Sequence, residues 1–68
     1  MSKYDWSNVP KEVKWIATDA DGYAWGFHGK PKISNHAGWG HLGKTPFHVI
    51  KQTYKGNWQD SLEERPNE

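Results

Sequence analysis

The chain has 68 residues and no cysteine, so it has room for one hydrophobic core and cannot use disulfides or a thiolate zinc site to hold it. Five Trp, three Tyr and two Phe make aromatic burial the compensating resource, each ring removing roughly 150–250 Å² from water. The net charge of +1 is unevenly spread: residues 13–56 carry six Lys against Asp19 and Asp21, whereas residues 57–68 carry Asp60, Glu63, Glu64 and Glu68 against Arg65. This split reads first as solvated surface, and secondly as an acidic tail folding onto a basic body. No apolar run approaches the roughly 20 residues of a membrane helix, and no signal-peptide pattern precedes the first polar residues. A single folded cytoplasmic domain is expected, with frayed ends.

Residues 1–9 form a lead-in, in which Tyr4 and Trp6 are potential anchors and Ser7-Asn8-Val9-Pro10 is a turn. A short helix from Pro10 competes with a strand, but Val13, Trp15 and Ile16 favour the strand. The strongest local signal is the hairpin of residues 13–28, where two β-prone runs flank Asp19-Ala20-Asp21-Gly22. Loops of two or four residues both put Ile16, Thr18, Tyr23, Trp25 and Phe27 on one face. The other face then holds Val13, Trp15, Ala17, Ala24, Gly26 and His28, and the four-residue loop sets Trp15 opposite Gly26.

Gly29-Lys30-Pro31-Lys32 ends the ladder, and residues 33–43 read as loop. Residues 46–54 read as a further strand and Lys55-Gly56-Asn57 as a turn, completing a β body over 13–55. In the acidic segment 57–68, Ser61-Leu62-Glu63-Glu64 fits a helix capping box, with Pro66 as the stop. The expected fold is small and β-rich, an antiparallel sheet of three to four strands with a short C-terminal helical turn. Trp25-Gly26-Phe27-His28-Gly29 and Trp39-Gly40-His41-Leu42-Gly43 echo one another as Trp-Gly-x-x-Gly, a pattern that a glycine-rich chain also yields by chance.

Motifs with chemistry are weak. Aligning Gly22 with the glycine of a calcium loop puts Ala17 and His28 where an oxygen ligand and a bidentate Glu are needed, so Asp19–Gly22 is a turn. The spacings of His28, His36, His41 and His48 match no metal signature. Gly38–Thr45 has the letters of a Walker A loop, but Pro46 and a β-like run replace the helix that motif requires. Ser34 and Thr45 lie near histidines without a nucleophile elbow. No catalytic, metal or cofactor residue is therefore assigned, and a non-enzymatic binding protein is expected.

Trp6…Pro10…Lys14-Trp15-Ile16-Ala17-Thr18-Asp19-Ala20-Asp21-Gly22, Lys30-Pro31 and the closing Trp58-Gln59-Asp60-Ser61-Leu62-Glu63-Glu64-Arg65-Pro66 resemble small uncharacterised proteins of tailed bacteriophages and prophages. The resemblance is strongest at 15–22 and 58–66. It implies an infected bacterium's cytoplasm and an accessory protein that binds and modulates a host protein, and it brings no site residues. Exposed indoles and their basic neighbours supply the candidate partner-binding residues: Trp15, His28, Lys30, Lys32 and Trp39. The competing reading is a single-stranded nucleic-acid module using Lys and stacked rings.

Overall fold

The computed structural model describes residues 2–33, 38–40 and 47–66. Among them the strands are β1 (Trp15–Thr18), β2 (Ala24–Phe27), β3 (Lys32–Ile33), β4 (Trp39–Gly40), β5 (Phe47–Ile50) and β6 (Glu63–Glu64). A four-stranded antiparallel sheet has the order β5-β2-β1-β6, and β3 pairs with β4 in a separate two-stranded ladder. The expected small β-rich fold is thus the observed one. The segment read as loop over 33–43 contains β4 and the end of β3, while the strand expected over 46–54 is confined to 47–50. The second Trp-Gly-x-x-Gly copy and the Walker-like run fall partly outside the described residues.

The hairpin forms where expected, but its loop has neither two nor four residues. Gly22 N–H donates to Asp19 O and Asp19 N–H to Tyr23 O, both at 2.9 Å, enclosing Ala20, Asp21 and Gly22. Gly22 takes the left-handed conformation (φ +94°) that closes such three-residue loops, and Asp21 Oδ1 accepts the Tyr23 N–H at 3.0 Å. An odd loop shifts the register by one residue relative to either even loop, which exchanges the two faces of one strand against the other. Trp15 therefore pairs with Phe27 and Ile16 with Gly26. Trp15 and Ala17 share a face with Trp25 and Phe27, not with Ala24 and Gly26.

Ala17 and Phe27 are buried on the Trp15 face, and the main core cluster lies on the opposite one. Ile16 and Ala24 pack with Tyr4, Val13 and Ile50, and Trp6, Val9 and Tyr54 close over them. Val13 joins this face by a backbone irregularity. Lys14 N–H donates to the carbonyl of Phe27, the residue already paired with Trp15, so two consecutive residues oppose one. That is the count of a β-bulge, and it reverses the side on which Val13 falls. The reversal brings the Val13 Cγ1 to 2.7 Å from where a Cβ on Gly26 would stand, with Ile50 Cδ1 at 3.1 Å.

The N-terminal segment does not form a helix from Pro10. It turns twice, through Val9 N–H to Trp6 O and Val13 N–H to Pro10 O. Between it and the sheet, the buried Tyr4 hydroxyl donates to Ser61 O at 2.8 Å and lies 2.8 Å from Thr18 Oγ1. Burial pushes the Tyr4 phenol above its ordinary value of 10.0, against the opposing pull of its hydrogen bonds to Thr18 and Ser61.

Gly26→Ala is expected to cost about 1–3 kcal/mol by overpacking, read as a lower midpoint in thermal or urea unfolding. Val13→Ala in the same chain should return part of that loss, a coupling that two independent sites would lack. Tyr4 supplies a second expectation. A phenol whose pKa is raised in the folded state stabilises the fold below its unfolded value, and that contribution disappears as pH rises through the folded value. Tyr4→Phe should cost about 1–3 kcal/mol at neutral pH. The gap between wild type and variant should narrow in unfolding experiments above pH 10.

Candidate functional site

The acidic C-terminal segment packs against the sheet. Asn57 caps a 3-10 helix of residues Trp58–Asp60 by accepting the Gln59 N–H at 3.0 Å. Ser61 follows and is completely buried. No helix begins there, contrary to the capping-box expectation. The Ser61 hydroxyl instead serves the edge of β1: its Oγ accepts the Thr18 N–H at 2.8 Å and lies 3.1 Å from Thr18 O and 2.6 Å from Trp58 O. Beyond it, Glu63 and Glu64 extend the sheet by pairing with Ile16 and Trp15.

Arg65 locks the end of this strap. Its backbone N–H donates to Lys14 O at 2.7 Å, its Nε to Val13 O at 2.8 Å, and its Nη2 to Pro10 O at 2.6 Å and Val9 O at 3.3 Å. The guanidinium lies 4.8 Å from the centroid of the Trp6 ring, whose Nε1–H donates to Glu63 Oε1 at 2.7 Å. Lys3 completes the clasp by donating from Nζ to Asp60 O and Leu62 O.

These contacts shape the end of the sheet at which β1 begins and β2 ends. An open depression of about 260 Å³ lies there, lined by Lys14, Trp15, His28, Glu64, Arg65 and Pro66. Trp15 is half-buried, with Lys30 Nζ 5.5 Å from its ring centroid. Among the described residues, its indole N–H meets no acceptor. Two larger depressions are less suited to anchoring. The one of about 460 Å³ between Asp5, Val9, Val49 and Gln52 has no aromatic ring in its wall. The one of about 400 Å³ includes Trp6, but that ring is already engaged by Arg65 and Glu63.

Of the five candidate residues, Trp15 and His28 line the Trp15 depression, and Lys30 stands over the Trp15 ring. Trp39 does neither. Its Nε1–H donates to Thr18 O at 3.0 Å, its backbone N–H to Asp19 Oδ1 at 2.9 Å, and its ring stands edge-on to Trp58 at 6.4 Å. Lys32 is exposed on β3, paired in register with Gly40. Spacing along the chain missed one cluster entirely. His28, just beyond β2, and the half-buried His48 on β5 bring their Nε2 atoms to 3.0 Å. The signal for that pair lies in strand register, since His48 pairs with Gly26, two residues before His28.

Among the described residues, no group of three or more His, Asp or Glu is placed to hold a metal, and no helix is long and apolar enough to cross a membrane. Comparison with protein-family models, curated proteins and solved structures finds no match.

Arg65→Ala removes donors to three backbone carbonyls and a ring contact together. It is expected to cost about 2–4 kcal/mol, because the carbonyls lose charge-assisted partners. Arg65→Lys should recover only part of this, since one ammonium cannot reproduce the planar fork. Chemical denaturation of the three proteins checks the order.

Proposed function

We propose that this chain is a small non-enzymatic binding protein, of the tailed-phage accessory kind its sequence resembles, and that it docks on a host protein in the bacterial cytoplasm through Trp15. The observation that carries the reading is the half-buried Trp15 in an open depression, its indole N–H without an acceptor among the described residues. A ring fixed in this way offers a large contact area with little side-chain entropy left to lose. Its neighbours favour a protein over a nucleic acid. Lys14, Arg65 and Lys30 stand near Trp15 together with His28, and Glu64, the register partner of Trp15 on β6, sets one carboxylate among them. A phosphate backbone would meet that carboxylate beside the ring, whereas a protein rim of mixed charge can pair with both signs.

The test is affinity capture from a bacterial lysate with the tagged full chain. The expected result is one stoichiometric protein whose affinity falls roughly 30-fold with Trp15→Ala, as for a central anchor of about 2 kcal/mol. Val49→Ser, at an exposed residue on the outer strand, should leave capture unchanged. A salt titration with a single-stranded oligonucleotide discriminates the alternative. Binding that weakens steeply with salt and depends on Trp15 would replace the protein reading with the nucleic-acid one.

A further inference from the structure

His28 and His48 are twenty residues apart in sequence and are brought together by the pairing of β2 with β5. Their Nε2 atoms are 3.0 Å apart, their ring centroids 5.2 Å apart and their planes 20° apart. A ring centroid lies roughly 1.1 Å from its own nitrogen, so these values put both nitrogens close to the line between the centroids. The imidazoles thus meet nitrogen to nitrogen and nearly in plane, despite their near-parallel orientation. Such a contact holds one proton between two lone pairs, one ring donating and the other accepting.

We propose that this pair is a two-histidine site for a borderline divalent transition-metal ion, with Zn²⁺ and Ni²⁺ as its probes. Neutral imidazole nitrogens suit these ions. For both Nε2 atoms to bind, the ring that holds the shared proton on Nε2 must carry it on Nδ1 instead, a tautomer change that frees the second lone pair with no net loss of a proton. Zn–N bonds of about 2.0–2.1 Å at a tetrahedral angle separate the two nitrogens by about 3.3 Å. The ion would then lie off the line between the rings, so both imidazoles must swing by about 35° to aim their lone pairs at it, as well as opening from 3.0 Å. Two ligands leave open positions for water or for a donor from another molecule.

The surroundings set the selectivity. Lys14 and Arg65 line the same depression as His28, with Glu64 as the acidic residue there, so the local field does not attract cations in general. Binding must come from the nitrogen donors. That excludes the hard, oxygen-seeking Mg²⁺ and Ca²⁺ and favours ions that bond well to imidazole. The site stands apart from the Trp15 reading, although His28 borders both, and either can fail alone.

The experiment is calorimetric titration of the full chain with Zn²⁺ and Ni²⁺, together with NMR of the histidine ring protons. The expected result is one equivalent of Zn²⁺ bound, with the ring signals of His28 and His48 shifting together and no response to Mg²⁺ or Ca²⁺. His28→Gln and His48→Gln should each weaken binding by roughly tenfold or more, as losing a direct ligand costs at least as much as losing its supporting partner. A His36→Gln/His41→Gln double variant should bind as the wild type does. The proposal is overturned if no Zn²⁺ binds at several hundred micromolar. It is equally overturned if binding survives His28→Gln or disappears in the His36/His41 variant. The ring signals of the unsubstituted chain decide the matter even where a variant folds poorly.

Discussion

The fold depends on how the outer edge of β1 is closed. A strand edge exposes N–H and C=O groups that need partners, and a chain of 68 residues has few elements to provide them. At Thr18 the closure is made by side chains, with the Trp39 indole N–H donating to Thr18 O and Ser61 serving both backbone groups. Ser61 Oγ lies within hydrogen-bonding distance of both the N–H and the C=O of Thr18, taking the place of a neighbouring strand's backbone. One turn further, β6 takes over with true strand pairing at Ile16 and Trp15, and Arg65 continues onto the carbonyls of Val13, Pro10 and Val9. The N-terminal segment is tied to the same strap through Lys3, Tyr4 and Trp6. Residues near the two ends of the chain therefore stabilise one another, and the core is assembled between them.

Much of this architecture is legible in the sequence, and the failures have definite causes. Alternating β-prone runs around Asp-Gly announce the hairpin, but composition does not fix loop length. The turn closes with three residues because Gly22 accepts the left-handed conformation and Asp21 holds Tyr23 N–H. One residue then decides which side chains share a face. The bulge at Lys14 and Trp15 is less legible still, for its cause is tertiary: Val13 fills the space left by Gly26. At Ser61-x-x-Glu64, the residue types signal a hydroxyl ready to cap a backbone. They do not say whether that backbone belongs to its own helix or to a distant strand.

The same distinction governs the candidate site. Trp15, His28 and Lys30 converge because all lie near the paired ends of β1 and β2, so a correctly placed hairpin suffices to find them. Trp39 looks equally suited to binding by composition, yet its indole N–H is used by Thr18 O and its ring by Trp58. An aromatic-rich small domain uses its rings for packing first, and only three-dimensional placement separates the remainder. His48 was hidden for a different reason. Its relation to His28 exists only through the β2–β5 ladder, which links segments separated by a long connection.

The strap and the Trp15 depression share residues, which would couple stability to the recognition proposed there. Glu64 pairs with Trp15 in the sheet and borders the depression, while Arg65 borders it and holds three backbone carbonyls of the preceding turns. A partner seated against Trp15 would bind only the state in which the strap is docked. It would therefore stabilise that state by mass action, in proportion to the logarithm of its concentration above its dissociation constant. Conversely, any loosening of the strap would remove part of the wall against which the partner rests. A larger protein can separate its binding surface from the contacts that keep it folded. Here the strap that closes β1 also builds the rim around Trp15, so the binding proposed at this surface and the integrity of the sheet edge would rest on the same few hydrogen bonds.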